Sequence, residues 1–238
     1  MQATKFEFEQ RFWIFGLIFG AGFGLAVVDH TNFGVGLLHL LAPSIDPDSG
    51  RGNCWLRIIF GCGAAMVFGA VLLRTWATAY LKTEVVHDMS QHSEGLVADG
   101  PYRYLRNPLY FANVPMMAGI GMMASRAGWF FIVIATWIFV YRLIFREEAG
   151  LLQTQGASYR EYVSKVPRFW PALTPRVAAG SGVAQWGQAF AGEFVFWMFA
   201  VAMLSFAITL NIKVAGIVMG VGFLFYFVVV PLMVKKGK

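Results

Sequence analysis

The feature that most constrains this chain is a series of apolar runs, each close to the length a helix needs to cross a lipid bilayer. A bilayer core about 30 Å thick needs about 20 apolar residues per helix. Six segments approach or meet that length: Phe12–Val28, Trp55–Tyr80, Pro108–Ser125, Gly128–Phe145, Phe190–Leu210 and Val214–Val234. The chain therefore reads as all-α, a polytopic transmembrane helical bundle of about six spans. Composition agrees, with 58% of residues hydrophobic, 13% charged and a mean hydropathy of +0.59. A globular domain carries roughly a quarter charged residues, so this surface does not face water. The net charge of +6 does not point to nucleic acid, because the basic residues stand between apolar runs and form no single patch.

The third and fourth runs are separated by Arg126 and Ala127 with small residues on either side, which predicts a tight antiparallel hairpin. Between Asn32 and Ala42 the apolar residues recur at helical spacing around His39, as in a short interfacial helix before the polar turn Pro43–Asn53. The stretch Met1 to Arg11 mixes Lys5 and Arg11 with Glu7 and Glu9, and no small-residue cleavage site follows it, so the first run reads as a retained span. An even number of spans puts both termini on one side. Lys5, Arg11, Lys82, Arg103, Arg106, Arg142, Arg146, Arg160, Lys165, Arg168, Arg176, Lys235, Lys236 and Lys238 fall on that side, against Arg51, Arg57, Arg126 and Lys213 on the other. Cytoplasmic loops carry the excess of Lys and Arg. The expectation is an integral protein of the inner or cytoplasmic membrane, both termini cytoplasmic.

Several residues weigh less. Arg74 stands inside the second run, where a charge needs a partner or must snorkel to the surface, and snorkelling inward is the expectation. Gly16, Gly20 and Gly24, like Gly216 and Gly220, are spaced by four. Small residues at that spacing let helices approach closely, within the chain or in a homodimer. Cys54 and Cys62 suit neither a disulfide set nor a zinc set and read as packing residues. His87, Asp88, His92 and Glu94 match no metal-ligand spacing and read as a solvated loop, leaving no metal site. Asp29 and His30 read as interfacial.

Two polar stretches on the inner side can carry chemistry. In the first, Leu96 to Tyr110, Pro101 and Pro108 disfavour a helix between them. Asn107 before Pro108 reads as an N-cap with proline at the first helical position. Three tyrosines, Tyr102, Tyr104 and Tyr110, and two arginines, Arg103 and Arg106, converge there on a helix N-terminus, which favours an anion. An interfacial belt is the plainer alternative. The second stretch begins at Arg142, Arg146, Glu147 and Glu148, where the fourth span reaches the surface, and runs past Gly156, Tyr159 and Tyr162 to Pro171. Paired glutamates at the end of a span need cations or water. The hairpin returns this helix end beside Arg106 and Asn107, so opposite charges from distant segments meet at one place.

Tyr102-Arg103-Tyr104, the Arg106-Asn107-Pro108-Leu109-Tyr110 turn, Glu147-Glu148, and Tyr159 with the Val166-Pro167-Arg168-Phe169-Trp170-Pro171 ending, in this order, resemble the isoprenylcysteine carboxyl methyltransferase and phospholipid methyltransferase family of integral membrane enzymes. The resemblance runs from about Leu96 to Pro171. It implies S-adenosylmethionine as cofactor, held on the cytosolic side between the inner ends of the helix hairpin and the following segment. It also implies a lipophilic acceptor that arrives from the bilayer among membrane lipids. By the same resemblance, Tyr102, Tyr104, Arg106, Asn107, Tyr110, Glu147 and Glu148 would bind the cofactor, and Arg106, Glu148 and Arg168 would act in catalysis. Two departures stand out: the family's Arg-His-Pro is here Arg106-Asn107-Pro108, without a titratable imidazole, and a glycine expected after Tyr110 is Ala112. On this reading the chain divides into an N-terminal transmembrane region (1–95), a methyltransferase-like core (96–175) and a C-terminal transmembrane hairpin (176–238).

The chemistry suits the residues. Glutamate would take the ammonium of S-adenosylmethionine, arginine its carboxylate, and tyrosine faces its adenine or sulfonium. A carboxylate acceptor needs an arginine to orient it and no base, whereas an amine acceptor needs a base, for which Glu148 is nearest. A membrane reductase of the sterol-reductase type, using NADPH, is an alternative with fewer basic residues than it needs. A non-enzymatic transporter or scaffold is another, without the internal repeat or broken midplane helices of a transporter.

Overall fold

The computed structural model describes residues 2–81 and 98–236, with side chains up to Val228. Among them every regular element is a helix: α1 (Lys5–Glu9), α2 (Arg11–Gly24, continued by a 3-10 turn Leu25–Val27), α3 (Phe33–Leu41), α4 (Gly50–Ala79), α5 (Pro108–Gly121), α6 (Arg126–Lys165), α7 (Trp186–Gly192), α8 (Phe194–Thr209) and α9 (Ile212–Lys236). The apolar runs are thus largely helical, although Phe190–Leu210 is divided between α7 and α8 at Glu193 and α4 begins at Gly50, inside the turn expected to reach Asn53. The short helix around His39 forms as α3, with the Asn32 side chain accepting from Gly34 N and Val35 N at its start. By length and composition α4 and α6 can each cross a membrane, and α7 with α8 makes a third candidate if that bent pair is one span. Lys82, His87, Asp88, His92, Glu94, Leu96, Val97 and Lys238 lie outside the described residues.

The chain packs as two compact units. One comprises Ile18–Val71, Pro115–Ile134 and Glu193–Lys238. Here the hairpin turn between α5 and α6 is tied to the end of the first apolar run. Asp29 accepts from Ala127 N (2.9 Å) and Arg126 Nη2 (3.2 Å), while Asn32 Nδ2 donates to Met123 O (2.8 Å). The Ala127 N–H and then the Arg126 guanidinium hold the Asp29 carboxyl below its usual range. Asp29 is therefore a clamp. Trp129 Nε1 donates to Ala118 O (3.0 Å), which closes the hairpin as expected, although α5 stops at Gly121 and not at Ser125. Close helix approach uses glycines other than the spaced ones. A Cβ at Gly128 would sit 2.2 Å from Gly22 O, and one at Gly119 would sit 2.6 Å from Gly63 O. At Gly16, Gly20, Gly24, Gly216 and Gly220 an added Cβ meets nothing within 4 Å, so among the described residues those glycines pack against no other helix of the chain. Cys54 and Cys62 are exposed free thiols, which corrects their reading as packing residues.

The other unit comprises Met1–Leu17, Leu72–Val114 and Ala135–Gly192. Lys5, Arg11, Arg103, Arg106, Arg142, Arg146, Arg160, Lys165, Arg168 and Arg176 all belong to it. Its core joins Val114, Val140, Ile144 and Phe169, flanked by Tyr110, Phe111, Trp137 and Tyr141. A second cluster, Tyr159, Tyr162 and Val166, packs with Leu151 and Val163. Arg74 donates to Asn113 Oδ1 at 2.7 Å, so it finds a partner inside the unit and has no need to snorkel alone.

The N-terminal residues form a strap on α6. Thr4 and Glu7 make a reciprocal capping box at the start of α1. Ala3 N donates to Arg142 O (3.0 Å), Arg142 Nη2 reaches both oxygens of Glu7 (2.8 and 2.7 Å), and Arg146 Nη1 donates to Ala3 O (3.1 Å). The two arginines that share a helical face are thereby drawn to the strap. α6 itself does not end near Phe145, where the fourth span was expected to stop. It runs on to Gly156, breaks there with φ 53° and ψ −115°, and resumes to Lys165.

Candidate functional site

Two stretches of irregular backbone frame the site. Arg106 N donates to Pro167 O (2.9 Å), Ala172 N to Tyr104 O (2.9 Å) and Arg176 N to Arg103 O (2.8 Å), so the segment after α6 runs antiparallel to residues 103–106. Arg103 Nε adds a bond to Val177 O (3.0 Å), and Asp99 accepts from Gly180 N and Gly182 N. Gly100 opens a 3-10 turn at φ 54°, where a Cβ would press into the Tyr80 ring, so glycine is required there. This turn is the one departure from an otherwise non-helical stretch between Pro101 and Pro108.

At the centre of the frame stands Glu148. Arg106 Nη1 lies 3.0 Å from its Oε1, with both side chains 9% exposed. Arg168 Nε donates to Oε2 at 2.9 Å. Asn107 Nδ2 donates to Oε1 at 3.1 Å and to Arg168 O at 3.0 Å. α5 starts at Pro108 as the sequence predicts, and Asn107 O accepts the first helical bond, from Phe111 N. Its amide NH2, however, is directed to Glu148 and the Arg168 carbonyl. Arg106 Nε has no partner, and Nη1, although within ion-pair distance of Glu148, falls outside hydrogen-bond geometry, so this buried guanidinium retains unused donors.

Glu148 also lines a pocket of about 330 Å³ together with Phe145, Ala149, Leu152, Tyr159, Arg160, Val163 and Arg168. The break at Gly156 makes this pocket possible. The residues before it form one wall and Tyr159, Arg160 and Val163 form the other. The Arg168 guanidinium lies over the Phe145 ring at 4.8 Å.

The residues expected in the site separate into three groups. Arg106, Asn107, Glu148 and Arg168 meet as one cluster. Glu147 instead interacts with the Tyr110 hydroxyl, with the Arg11 guanidinium near both. Tyr102 and Tyr104 hold the frame: Tyr102 O accepts from Tyr162 Oη (2.7 Å), and the Tyr104 ring lies 6.0 Å from Trp76. Arg11 and Arg160, counted in the sequence only for orientation, and Leu152 were not expected as site residues. For the strap that carries Arg11 the signal was present, since Thr4 and Glu7 have capping-box spacing.

Comparison with known proteins bears on the same region. Residues 56–155 match the family model described as phospholipid methyltransferase. The chain is 28% identical over 105 residues to the nickel-cobalt-cadmium resistance protein NccN of Alcaligenes xylosoxydans xylosoxydans, covering 44% of this chain and 46% of that protein. It is 26% identical over 105 residues to the cobalt-zinc-cadmium resistance protein CzcN of Cupriavidus metallidurans, covering 44% of this chain and 45% of that protein. The match thus spans less than half the length of either relative. No solved structure matches the chain. The family match begins about forty residues before the motifs read from the sequence and includes Arg106, Asn107, Tyr110, Glu147 and Glu148 but not Arg168. The match over residues 56–155 bears out the resemblance carried by those motifs, the matched model being that of the family of isoprenylcysteine carboxyl methyltransferase-like membrane enzymes.

Proposed function

We propose that this protein is an integral membrane methyltransferase that transfers a methyl group from S-adenosylmethionine to a lipophilic acceptor, a prenylcysteine-like carboxylate or a lipid. The observation that carries the proposal is Glu148, held by Arg106, Asn107 and Arg168 on the wall of a largely apolar pocket, within a segment matched by a methyltransferase family. The donor set fits the cofactor. Glu148 offers its carboxylate to an ammonium, and Arg106, ion-paired with Glu148 through Nη1, keeps its Nε donor unmatched for an anionic group.

When bound, S-adenosylmethionine supplies an electrophilic methyl group that an acceptor takes by direct displacement. The protein's task is then alignment and exclusion of water. Arg106 and Asn107 keep Glu148 oriented, and Phe145, Leu152 and Val163 supply apolar walls. Arg168, bonded to Glu148 through Nε and 39% exposed, is placed to orient an anionic acceptor group. With two arginines and an amide on it, Glu148 acts as an ion partner, which suits a carboxylate acceptor better than an amine that needs a base. The six apolar helices are proposed to span the membrane with both termini cytoplasmic, which opens this pocket on the cytoplasmic side.

The test is binding of S-adenosylhomocysteine and of NADPH to the detergent-purified protein by calorimetry. Saturable binding of the first is expected. Binding of NADPH without it overturns the methyltransferase reading in favour of a reductase. Arg168→Ala is expected to leave S-adenosylhomocysteine affinity within about threefold and to lower transfer of labelled methyl into total membrane lipid about tenfold or more, the loss of one charge-assisted bond. Both relatives are named for metal resistance, so methyl transfer in that setting is a second proposal. Deletion of the gene would then lower tolerance to nickel or cobalt salts.

A further inference from the structure

The two walls of the pocket differ in charge. Before the break, α6 contributes Phe145, Ala149 and Leu152 with one acid, Glu148; the segment after it contributes Tyr159, Arg160, Val163 and Arg168. Arg160 and Val163 lie three apart and share a helical face. Their neighbours pin that stretch, because Tyr159, Tyr162 and Val166 are buried together and Tyr162 Oη donates to Tyr102 O (2.7 Å). Arg160 itself is exposed, so a ligand in the pocket can meet its guanidinium. The acids around it are already matched. Glu161 accepts from Lys165 Nζ (2.6 Å), and Glu148 is paired with Arg106 (3.0 Å) and Arg168 (2.9 Å). Among the described residues the Arg160 guanidinium has no ion-pair partner. The site therefore holds three arginines against one glutamate, an excess of two positive charges.

That excess favours an anionic occupant, and the apolar walls decide which kind. An arginine on open surface gains little from a single counter-ion. A hydrocarbon chain laid over Phe145, Leu152 and Val163 would also displace water from beside Arg160 and Arg168, and a charge pair strengthens as water leaves. Arg168 already lies over the Phe145 ring at 4.8 Å, so cation and apolar wall are adjacent. A carboxylate on a lipid chain uses both features, whereas a small soluble carboxylate uses only one. Methyl transfer then changes the occupant. A carboxylate oxygen bonds to the methyl carbon as the carbon–sulfur bond breaks; the electron pair stays on sulfur and no proton is released. The product is a neutral ester, which accepts weaker hydrogen bonds from the same guanidiniums.

We infer that Arg160, together with Arg168, forms an acid-selective acceptor site that holds a lipid carboxylate before methyl transfer and releases the methyl ester after it. This rests on the methyltransferase reading and deepens it. It adds Arg160 to the residues that act on the acceptor, and it ties product release to loss of the charge that the two arginines hold.

The experiment measures binding of dodecanoate, methyl dodecanoate and acetate by calorimetry to the full-length protein in detergent, saturated with S-adenosylhomocysteine. Wild type is expected to bind dodecanoate about tenfold or more tighter than its methyl ester, the margin of one charge-assisted hydrogen bond, and acetate more weakly still. Arg160→Gln should narrow the acid–ester margin to about threefold or less, and Arg160→Lys should recover most of it. Affinity for S-adenosylhomocysteine should stay within about twofold in both variants, because the two ligands use separate groups. In a parallel assay, labelled methyl transferred into a membrane-lipid extract should be released by alkali as methanol, the behaviour of an ester. An acid–ester margin that is absent in wild type, or unchanged in Arg160→Gln, overturns the assignment while leaving the methyltransferase reading intact. So does acetate binding as tightly as dodecanoate, or label that resists alkali. Loss of S-adenosylhomocysteine affinity in Arg160→Gln moves the residue to the cofactor and overturns it as well. No binding of S-adenosylhomocysteine to wild type overturns the methyltransferase reading itself.

Discussion

Glu148 is approached by Arg106, Arg168 and Asn107, and with Arg106 it is almost wholly removed from solvent. Removing one member of a buried ion pair leaves the other charge uncompensated and costs about 3–5 kcal/mol. Glu148→Gln is therefore expected to destabilise the protein by about 3 kcal/mol, read as a lowered thermal midpoint in detergent. Glu147→Gln, lying outside that cluster, is expected to fall well below this figure in the same assay. Adjacent residues of like charge separate because successive positions on a helix point about 100° apart, and here one faces the pocket while the other faces Tyr110. Which glutamate would do which was not legible in the pair itself. Asn107 shows the same limit. Asn-Pro placed the start of α5 correctly, but the destination of the amide depended on a carboxylate 41 residues away.

At the scale of elements, α6 and the N-terminal strap decide how the site is built. Gly156 adopts φ 53° and ψ −115° with open space around its Cα, so its backbone conformation, and no steric crowding, requires glycine. Gly156→Ala is expected to cost about 1–3 kcal/mol and to weaken S-adenosylhomocysteine binding, because a helix that continues straight removes one wall of the pocket. The strap predicts a pH dependence. The Thr4 N–H and then the Arg142 guanidinium lower the Glu7 carboxyl below its ordinary 4.5. A group with a depressed folded-state value contributes stability above its unfolded value and loses it as pH falls through the folded one. The difference in thermal midpoint between wild type and Glu7→Gln should therefore be full at pH 7 and shrink progressively below about pH 4.5. A difference independent of pH would show that the Glu7–Arg142 pair contributes nothing through charge.

For the whole molecule, the long apolar helices and the methyltransferase family match together support membrane association. The protein should remain in the membrane fraction after alkaline carbonate washing and leave it with detergent. Reporter fusions at both termini should be active in the cytoplasm if the excess of Lys and Arg sets orientation. Release by carbonate would remove the polytopic reading. Among the described residues, the basic residues counted on one side from Lys5 to Arg176 fall within the unit that holds the pocket, whereas Lys235 and Lys236 belong to the other unit.

Sequence by itself determined the helical class, the start of α5 at Pro108, the hairpin and the family segment. These depend on run length, local capping and contiguous motifs, which neighbouring residues settle among themselves. Tertiary structure alone decided that Glu148 and not Glu147 meets Arg106, that Arg142 and Arg146 turn to the strap, and that Gly156 divides a helix around a pocket. Each of these turns on which of several chemically equivalent partners comes within about 3 Å, the range of a hydrogen bond. That is settled by packing between segments far apart in the chain.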